Sequence, residues 1–286
     1  MWIMYAFASA FFAGITAILS KIGIKNINSN LATAVRTAVV LIFSWLIVLI
    51  CGTQNELIGI KTKTVVFLVL SGIATGASWL CYFKALQLGN VSKVTPIDKS
   101  STILSMILAF IFLKEEISLL KILCIALIGI GTYMMIENKK NTENRGKRNG
   151  WLIWAVLSAA FSALTSVFGK IGITEIDSNV GTAIRTIVVL LMSWIVVFAT
   201  KSQKELKMIN RKNLFFLIIS GMATGLSWLS YYKALQSGPA SVVVPIDKLS
   251  ILITIFFSSV VLKEKISKKS LVGLGLITTG TLLLII

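Results

Sequence analysis

The sequence predicts an all-α membrane protein of ten transmembrane helices, arranged as two inverted five-helix repeats. Three observations predict it. Of 286 residues, 56% are hydrophobic and only 14% charged, with a mean hydropathy of +0.88, where a soluble domain carries about 25% charge. Apolar runs of roughly 20 residues, each able to cross a ~30 Å hydrocarbon core, recur along the chain. The chain also repeats itself without a gap.

The expected spans lie near 2–22, 31–51, 64–87, 92–113, 118–136, 151–172, 180–200, 214–236, 241–262 and 269–286. The first starts at Met1 with no basic n-region and no small-residue cleavage site, so it reads as a retained helix. The repeat is plainest in RTAVVLIFSWLIV from Arg36 against RTIVVLLMSWIVV from Arg185. The same offset of 149 carries Lys21 to Lys170, Trp79 to Trp228, Lys84 to Lys233, Pro96 to Pro245, Asp98 to Asp247 and Glu115 to Glu264. Residues 1–136 and 151–286 are therefore two copies of one unit, joined by the polar, basic linker 137–150. Five helices per unit is an odd number, so the second copy must enter the membrane from the opposite side. That inverted plan is common in secondary transporters, and it sets Asp98 and Asp247 across a pseudo-twofold axis in the membrane plane.

The net charge of +17 resides mostly in short loops, which suits membrane orientation and anionic headgroups and not nucleic acid. Loops after odd-numbered spans hold sixteen Lys and Arg against four after even-numbered spans. The positive-inside rule then places the linker in the cytoplasm and both termini outside, although the first half alone leans weakly the other way. Cys51, Cys81 and Cys124 form no C-x-x-C pair, and the chain has no His, so neither a metal site nor a cofactor is expected.

Polar residues inside the spans fall on helical stripes. Ser71, Thr75, Ser78 and Tyr82 share one face of span 3, and Ser220, Thr224, Ser227 and Tyr231 repeat it in span 8. Asp98, Ser101 and Ser105 share a face of span 4, matched by Asp247, Ser250, Thr254 and Ser258 in span 9. Ser9 and Thr16 in span 1 match Ser158 and Thr165 in span 6. Lipid cannot satisfy such faces, so they look toward a watery cavity, or else the hydroxyls bond back to helix carbonyls. Gly72 with Gly76, and Gly221 with Gly225, form G-x-x-x-G motifs that read as close helix packing.

Charges within the spans are the sharper candidates, because an unpaired intramembrane charge costs several kcal/mol. They are Arg36, Arg185, Lys84, Lys233, Asp98, Lys99, Asp247 and Lys248. Two readings of the Pro-Ile-Asp-Lys segments stay open. Pro can occupy a first helical position with Asp in the first turn; alternatively, the apolar ASVVV before Pro245 is buried. Six cations against two carboxylates leave a positive surplus, which favours an anionic substrate group. Trp79, Trp228, Tyr82 and Tyr231 would add aromatic walls.

The chain resembles the EamA-type transporters of the drug/metabolite transporter superfamily over essentially its whole length. The resemblance rests on KALQLG (84–89) and KALQSG (233–238), each followed by a helix start of small residues. It rests also on the Glu-containing turns LKEEIS (113–118) and LKEKIS (262–267), each before a Gly-containing fifth helix. The Pro usual midway in the family's fourth helix stands earlier here, as Pro96 and Pro245. The resemblance implies a central cavity formed mainly by spans 1, 3, 4, 6, 8 and 9, with spans 5 and 10 peripheral, and alternating access by rocking of the halves. It also implies cytoplasmic termini, against the loop-charge count.

The expected function is a secondary transporter that moves a small polar or anionic metabolite outward across a bacterial or archaeal cytoplasmic (inner) membrane, with protons as the coupling ion. The expected partners are that substrate and the lipid bilayer, with the protein a monomer or weak homodimer. The alternatives are an uncoupled channel or facilitator and a membrane-embedded enzyme or lipid-handling protein; the latter lacks a readable nucleophile–base pair. A cysteine introduced at Asn141 in the linker should resist an impermeant thiol reagent applied to intact cells, and labelling from outside would reverse the orientation.

Overall fold

A computed structural model describes residues 1–23, 27–88, 94, 97, 100–135, 150–261 and 267–286; the side chains of 21, 83, 86, 87 and 258–261 also fall outside the description. The described residues form helices α1 (Trp2–Gly23), α2 (Ser29–Ile50), α3 (Thr62–Leu88), α4 (Ser101–Phe112), α5 (Leu119–Met134), α6 (Gly150–Gly172), α7 (Ser178–Ala199), α8 (Arg211–Ser237), α9 (Ala240–Lys248), α10 (Ser250–Val261) and α11 (Lys268–Leu283). No strand occurs among them.

Seven helical stretches among the described residues are long and apolar enough to cross a bilayer: α1, α2, α3, α6, α7, α8, and α9 continuing into α10 over Ala240–Phe257. The remaining expected spans are shorter as helices. α4 has 12 residues, and α5 and α11 have 16 each, which at 1.5 Å per residue falls short of a ~30 Å core. Outward faces are apolar: Ile42, Leu46 and Ile50 run down α2, and Leu191 and Ile195 down α7, all exposed.

Local chemistry sets the helix starts. Asn28 and Asp177, repeat equivalents, each accept a hydrogen bond from the backbone N–H two residues on. Such an N-cap is worth about 1 kcal/mol. The N–H of each cap residue is in turn taken by a carboxylate of the opposite half, Glu205 for Asn28 and Glu56 for Asp177.

The start of α9 is set by tertiary structure. Pro239 is its N-cap and offers no side-chain hydrogen bond. Glu115, just beyond α4, accepts from the N–H groups of Ala240 (2.6 Å) and Ser241 (2.9 Å) instead. Pro245 therefore lies at the sixth position of α9 and not at a helix start. The segment Val242–Ile246 is buried, which decides between the two readings of this copy in favour of burial. Pro245 cannot donate back along the helix, and the helix ends at Lys248, with α10 resuming at Ser250. The corresponding Pro96, and the Glu264 turn, lie outside the described residues.

Packing follows the repeat. α3 packs on α6 as α8 packs on α1; α3 meets α7 as α8 meets α2; α4 meets α6 as α10 meets α1. α2 packs on α7 and α5 on α11, each against its own repeat equivalent. Trp2, which begins α1, and Lys170, near the end of α6, both meet Gly238: the Trp2 ring packs on its Cα, and Lys170 Nζ donates to its carbonyl. α5 and α11 cross so closely that a Cβ on Gly131 would lie 2.6 Å from the Gly273 carbonyl oxygen, and the reverse contact is equally short. Backbone faces backbone there, so neither side can yield cheaply. Gly131→Val should lower the thermal unfolding midpoint by several degrees, corresponding to about 1–3 kcal/mol. An unchanged midpoint would show that this helix pair is free to part.

Candidate functional site

The polar stripes meet between the two halves. Ser78 donates to the Ser158 carbonyl at 3.0 Å, and Ser227 donates to the Ser9 carbonyl at 3.1 Å. The Thr75 and Thr165 hydroxyls lie 3.3 Å apart, and those of Thr16 and Thr224 3.4 Å apart. These are the same two contacts, each made twice by repeat-equivalent residues.

Each arginine crosses to the opposite half. Arg36 of α2 donates through Nη2 to Thr224 Oγ1 at 2.7 Å. Arg185 of α7 donates through Nη2 to Thr75 Oγ1 at 2.5 Å and through Nε to Ser71 Oγ at 2.9 Å. The acceptor hydroxyls spend their own protons on backbone carbonyls. Thr75 donates to Ser71, Thr224 to Ser220, and Ser71 to Thr165. Back-bonding within helices and a polar interior are thus one arrangement, because anchoring the proton turns the oxygen lone pairs toward the guanidinium.

Arg185 is the more enclosed of the pair. It is 3% exposed, and its guanidinium carbon lies 5.1 Å from the Trp228 ring and 4.9 Å from the Tyr232 ring, within cation–π range. No carboxylate lies within ion-pair distance of it among the described residues. Among the described residues, Nη1 of Arg185 and Nε of Arg36 are buried without a hydrogen-bond partner.

The arginines line two adjoining compartments. The first, about 310 Å³, has Arg36, Thr16, Thr37 and Thr224 on its wall. The second, about 240 Å³, has Arg185, Thr75, Thr165, Asp247 and Lys248. Trp79, Trp228 and Ser227 line both. Most of the first wall recurs in the second after the shift of 149: Thr16, Arg36 and Thr224 become Thr165, Arg185 and Thr75, and the tryptophans exchange.

The expected site residues distribute as follows. Arg36, Thr75, Ser78, Trp79, Arg185, Thr224, Ser227, Trp228, Tyr231, Asp247 and Lys248 line one or both compartments. Ser71 and Ser220 are buried just behind them; Ser71 holds Arg185, and Ser220 donates to the Leu217 carbonyl and accepts from Thr224 at its own carbonyl. Tyr231 donates to Ser166 at 2.9 Å, and Asp247 accepts from Ser9 at 2.6 Å. Tyr82 packs in a cluster with Ala85, Val94 and Trp151. Ser101 is buried at the start of α4, and Ser250 is half-buried at the start of α10. Lys84 is exposed. Lys233 sits beside Gln236 and 3.8 Å from Asp177, away from both compartments. Asp98 and Lys99 lie outside the described residues.

Two features escaped the sequence reading. Tyr232 stacks on Arg185, but its repeat equivalent is Phe83, so reading by repetition passes over it. α2 contributes Thr33, Arg36, Thr37 and Val40 to the first compartment, and α7 contributes Arg185 to the second; both helices lie outside the set of cavity spans that the resemblance implies. The threonines at i and i+4 about Arg36 were the available signal.

An all-helical chain with apolar outer faces and a polar, cationic interior between two repeats defines a multi-pass membrane protein of a transporter class. The chain belongs to the EamA-like transporter family, whose model matches residues 1–137 and 149–286. A relative from a Sinorhizobium species, named an uncharacterized transporter in the cobO 3′ region, is 44% identical over 134 residues, covering 47% of this chain and 95% of that one. An uncharacterized protein of Methanocaldococcus jannaschii is 30% identical over 133 residues, covering 46% of this chain and 94% of its own length. Each of these relatives is therefore about one repeat long. The uncharacterized transporter YxxF of Bacillus subtilis is 24% identical over 164 residues, covering 56% of this chain and 50% of that one. A solved crystal structure matches the fold with a TM-score of 0.81 at 12% identity, over 99% of this chain and 96% of its own.

Arg185 tests why a cation stands here unpaired. Removing a buried cation that no carboxylate pairs removes its desolvation cost and strands no opposite charge. Arg185→Met should leave the unfolding midpoint unchanged or raised while abolishing solute flux in proteoliposomes; a clear loss of stability would make Arg185 a structural residue.

Proposed function

We propose that this protein is a secondary transporter that exports a small polar or anionic metabolite by alternating access, with protons as the coupling ion. The observation that carries this reading is the pair of arginine compartments, equivalent under the repeat and meeting at Trp79 and Trp228. Two equivalent half-sites let one substrate be held while either half takes the open form.

Three further observations support it. The start of α1 and the end of α6 meet at the same residue, Gly238. Since α6 is the repeat of α1, that meeting favours opposite directions of travel and an inverted, ten-span arrangement. The two arginines are held unequally, Arg185 by two hydroxyls and Arg36 by one. In an inverted pair the opposite-facing state would exchange these roles, with Arg36 Nε turning to Ser220. Finally, the hold of Glu115 on the start of α9 ties the two halves together at one end.

We assign the coupling proton to Asp247, the one carboxylate on the two walls among the described residues. It lines the second compartment beside Arg185 and Lys248 and accepts a short hydrogen bond from Ser9. Asp247→Asn removes the titratable group and keeps the shape. In proteoliposomes this variant should retain substrate counterflow and lose pH-gradient-driven accumulation. Accumulation that follows the pH gradient as in the wild type would remove Asp247 from coupling. Absence of trans-acceleration in the wild type would favour a channel.

A further inference from the structure

From the charge balance of the two compartments we infer that the substrate is a monoanion: one carboxylate on a flat, apolar body, seated with its oxygens on Arg36 and its body against Trp79 and Trp228. The inference rests on the reading of this cavity as the substrate path.

The charge count is the first argument. Arg36 is the one ionisable residue on the first wall among the described residues. The second wall carries two cations, Arg185 and Lys248, against one carboxylate, Asp247. Each compartment therefore has a surplus of one positive charge. A single carboxylate neutralises either compartment. A dianion would leave one negative charge without a partner on the wall, and a cation or neutral solute would leave the arginine unpaired.

The donor geometry is the second argument. Arg36 Nε and Arg185 Nη1 are buried N–H groups with no acceptor among the described residues. An unpaired buried donor is costly, and a carboxylate oxygen is the acceptor that a guanidinium edge fits best. The free groups differ, Nε on Arg36 and Nη1 on Arg185, but both are guanidinium N–H donors, so an anionic group finds a charged donor in either half-site. Shape is the third argument. Trp79 and Trp228 are shared by both compartments, so a flat apolar body can remain between the rings while its carboxylate moves from one arginine to the other. A first compartment of about 310 Å³ lies at the small end of ligand pockets.

Four probes with one benzyl body and different charge test this: phenylacetate, phenylacetamide, phenethylamine and benzylphosphonate at a pH where it is a dianion. Phenylacetate alone should raise the unfolding midpoint of the purified full-length protein, by about 3 °C at roughly ten times its Kd. Arg36→Gln should abolish that shift, and Arg36→Lys should keep part of it. The unliganded midpoint of each variant reports whether it is folded. An equal or larger shift from the amide, the amine or the phosphonate would overturn the inference. So would no shift from phenylacetate, or a full shift in folded Arg36→Gln. If the wild type exchanges another solute in counterflow while phenylacetate leaves it unmoved, the monoanion assignment falls and the transporter reading stands. If phenylacetate binds through Arg36 but no counterflow occurs, the transporter reading falls and the site stands.

Discussion

The structure depends on keeping two guanidinium groups inside an apolar helical assembly with, among the described residues, no carboxylate in ion-pair contact with either. A charge in such a place costs several kcal/mol, and here hydroxyls from the opposite half offset part of that cost. Thr224 receives Arg36, and Thr75 with Ser71 receives Arg185. Each hydroxyl first anchors its proton on a carbonyl, so it serves as an oriented acceptor. Because donor and acceptors sit in different halves, neither half satisfies its own arginine. The two must be apposed, and the interior where they meet is polar by construction.

That apposition explains several otherwise separate features. Small residues let the helices come close enough for hydroxyls to reach across: Gly72 lies against Val188 and the Arg185 carbonyl, and Gly221 against Val39 and the Arg36 carbonyl. The tight fit places each arginine over the hydroxyl stripe of the helix it crosses. Carboxylates then work at the helix ends, where they are closer to water. Glu56 and Glu205 take backbone N–H groups at the starts of α7 and α2, and Glu115 takes two at the start of α9. Placing anions at helix N-termini uses the dipole as well as the free donors. In the second compartment the one carboxylate is Asp247, which is held by Ser9.

The copies are alike enough to build one site twice and different enough to hold it unequally. Arg185 is enclosed by Trp228 and Tyr232, and Tyr232 is replaced by Phe in the first copy. The first compartment is the larger, and its arginine makes one hydroxyl contact where the second makes two. The two equivalent arrangements are thus held unequally in this one structure. Relatives of about one repeat in length fit this logic: the repeat is the unit, and the chain joins two of them.

By itself the sequence determined the helical class, the repeat and the residues on each polar face. These follow from local rules: apolar runs long enough for a bilayer, 3.6 residues per turn, and an offset of 149 that needs no gap. The arginines, the tryptophans and the hydroxyl stripes were legible because each breaks an apolar pattern. Only the tertiary structure decided which stripe meets which arginine, that α2 and α7 line the cavity, and that α9 begins before Pro245. Those outcomes depend on groups far apart in the chain. Glu115 reaches Ala240 across 125 residues, and Arg36 reaches Thr224 across 188. A helix start that is capped from another helix, or a charge whose partners lie in the other repeat, leaves no periodic trace in its own segment. Lys84 and Lys233 show the converse: a charge at a span end looks the same in sequence whether it faces a cavity or the rim, and packing alone put Lys233 beside Asp177 and left Lys84 exposed.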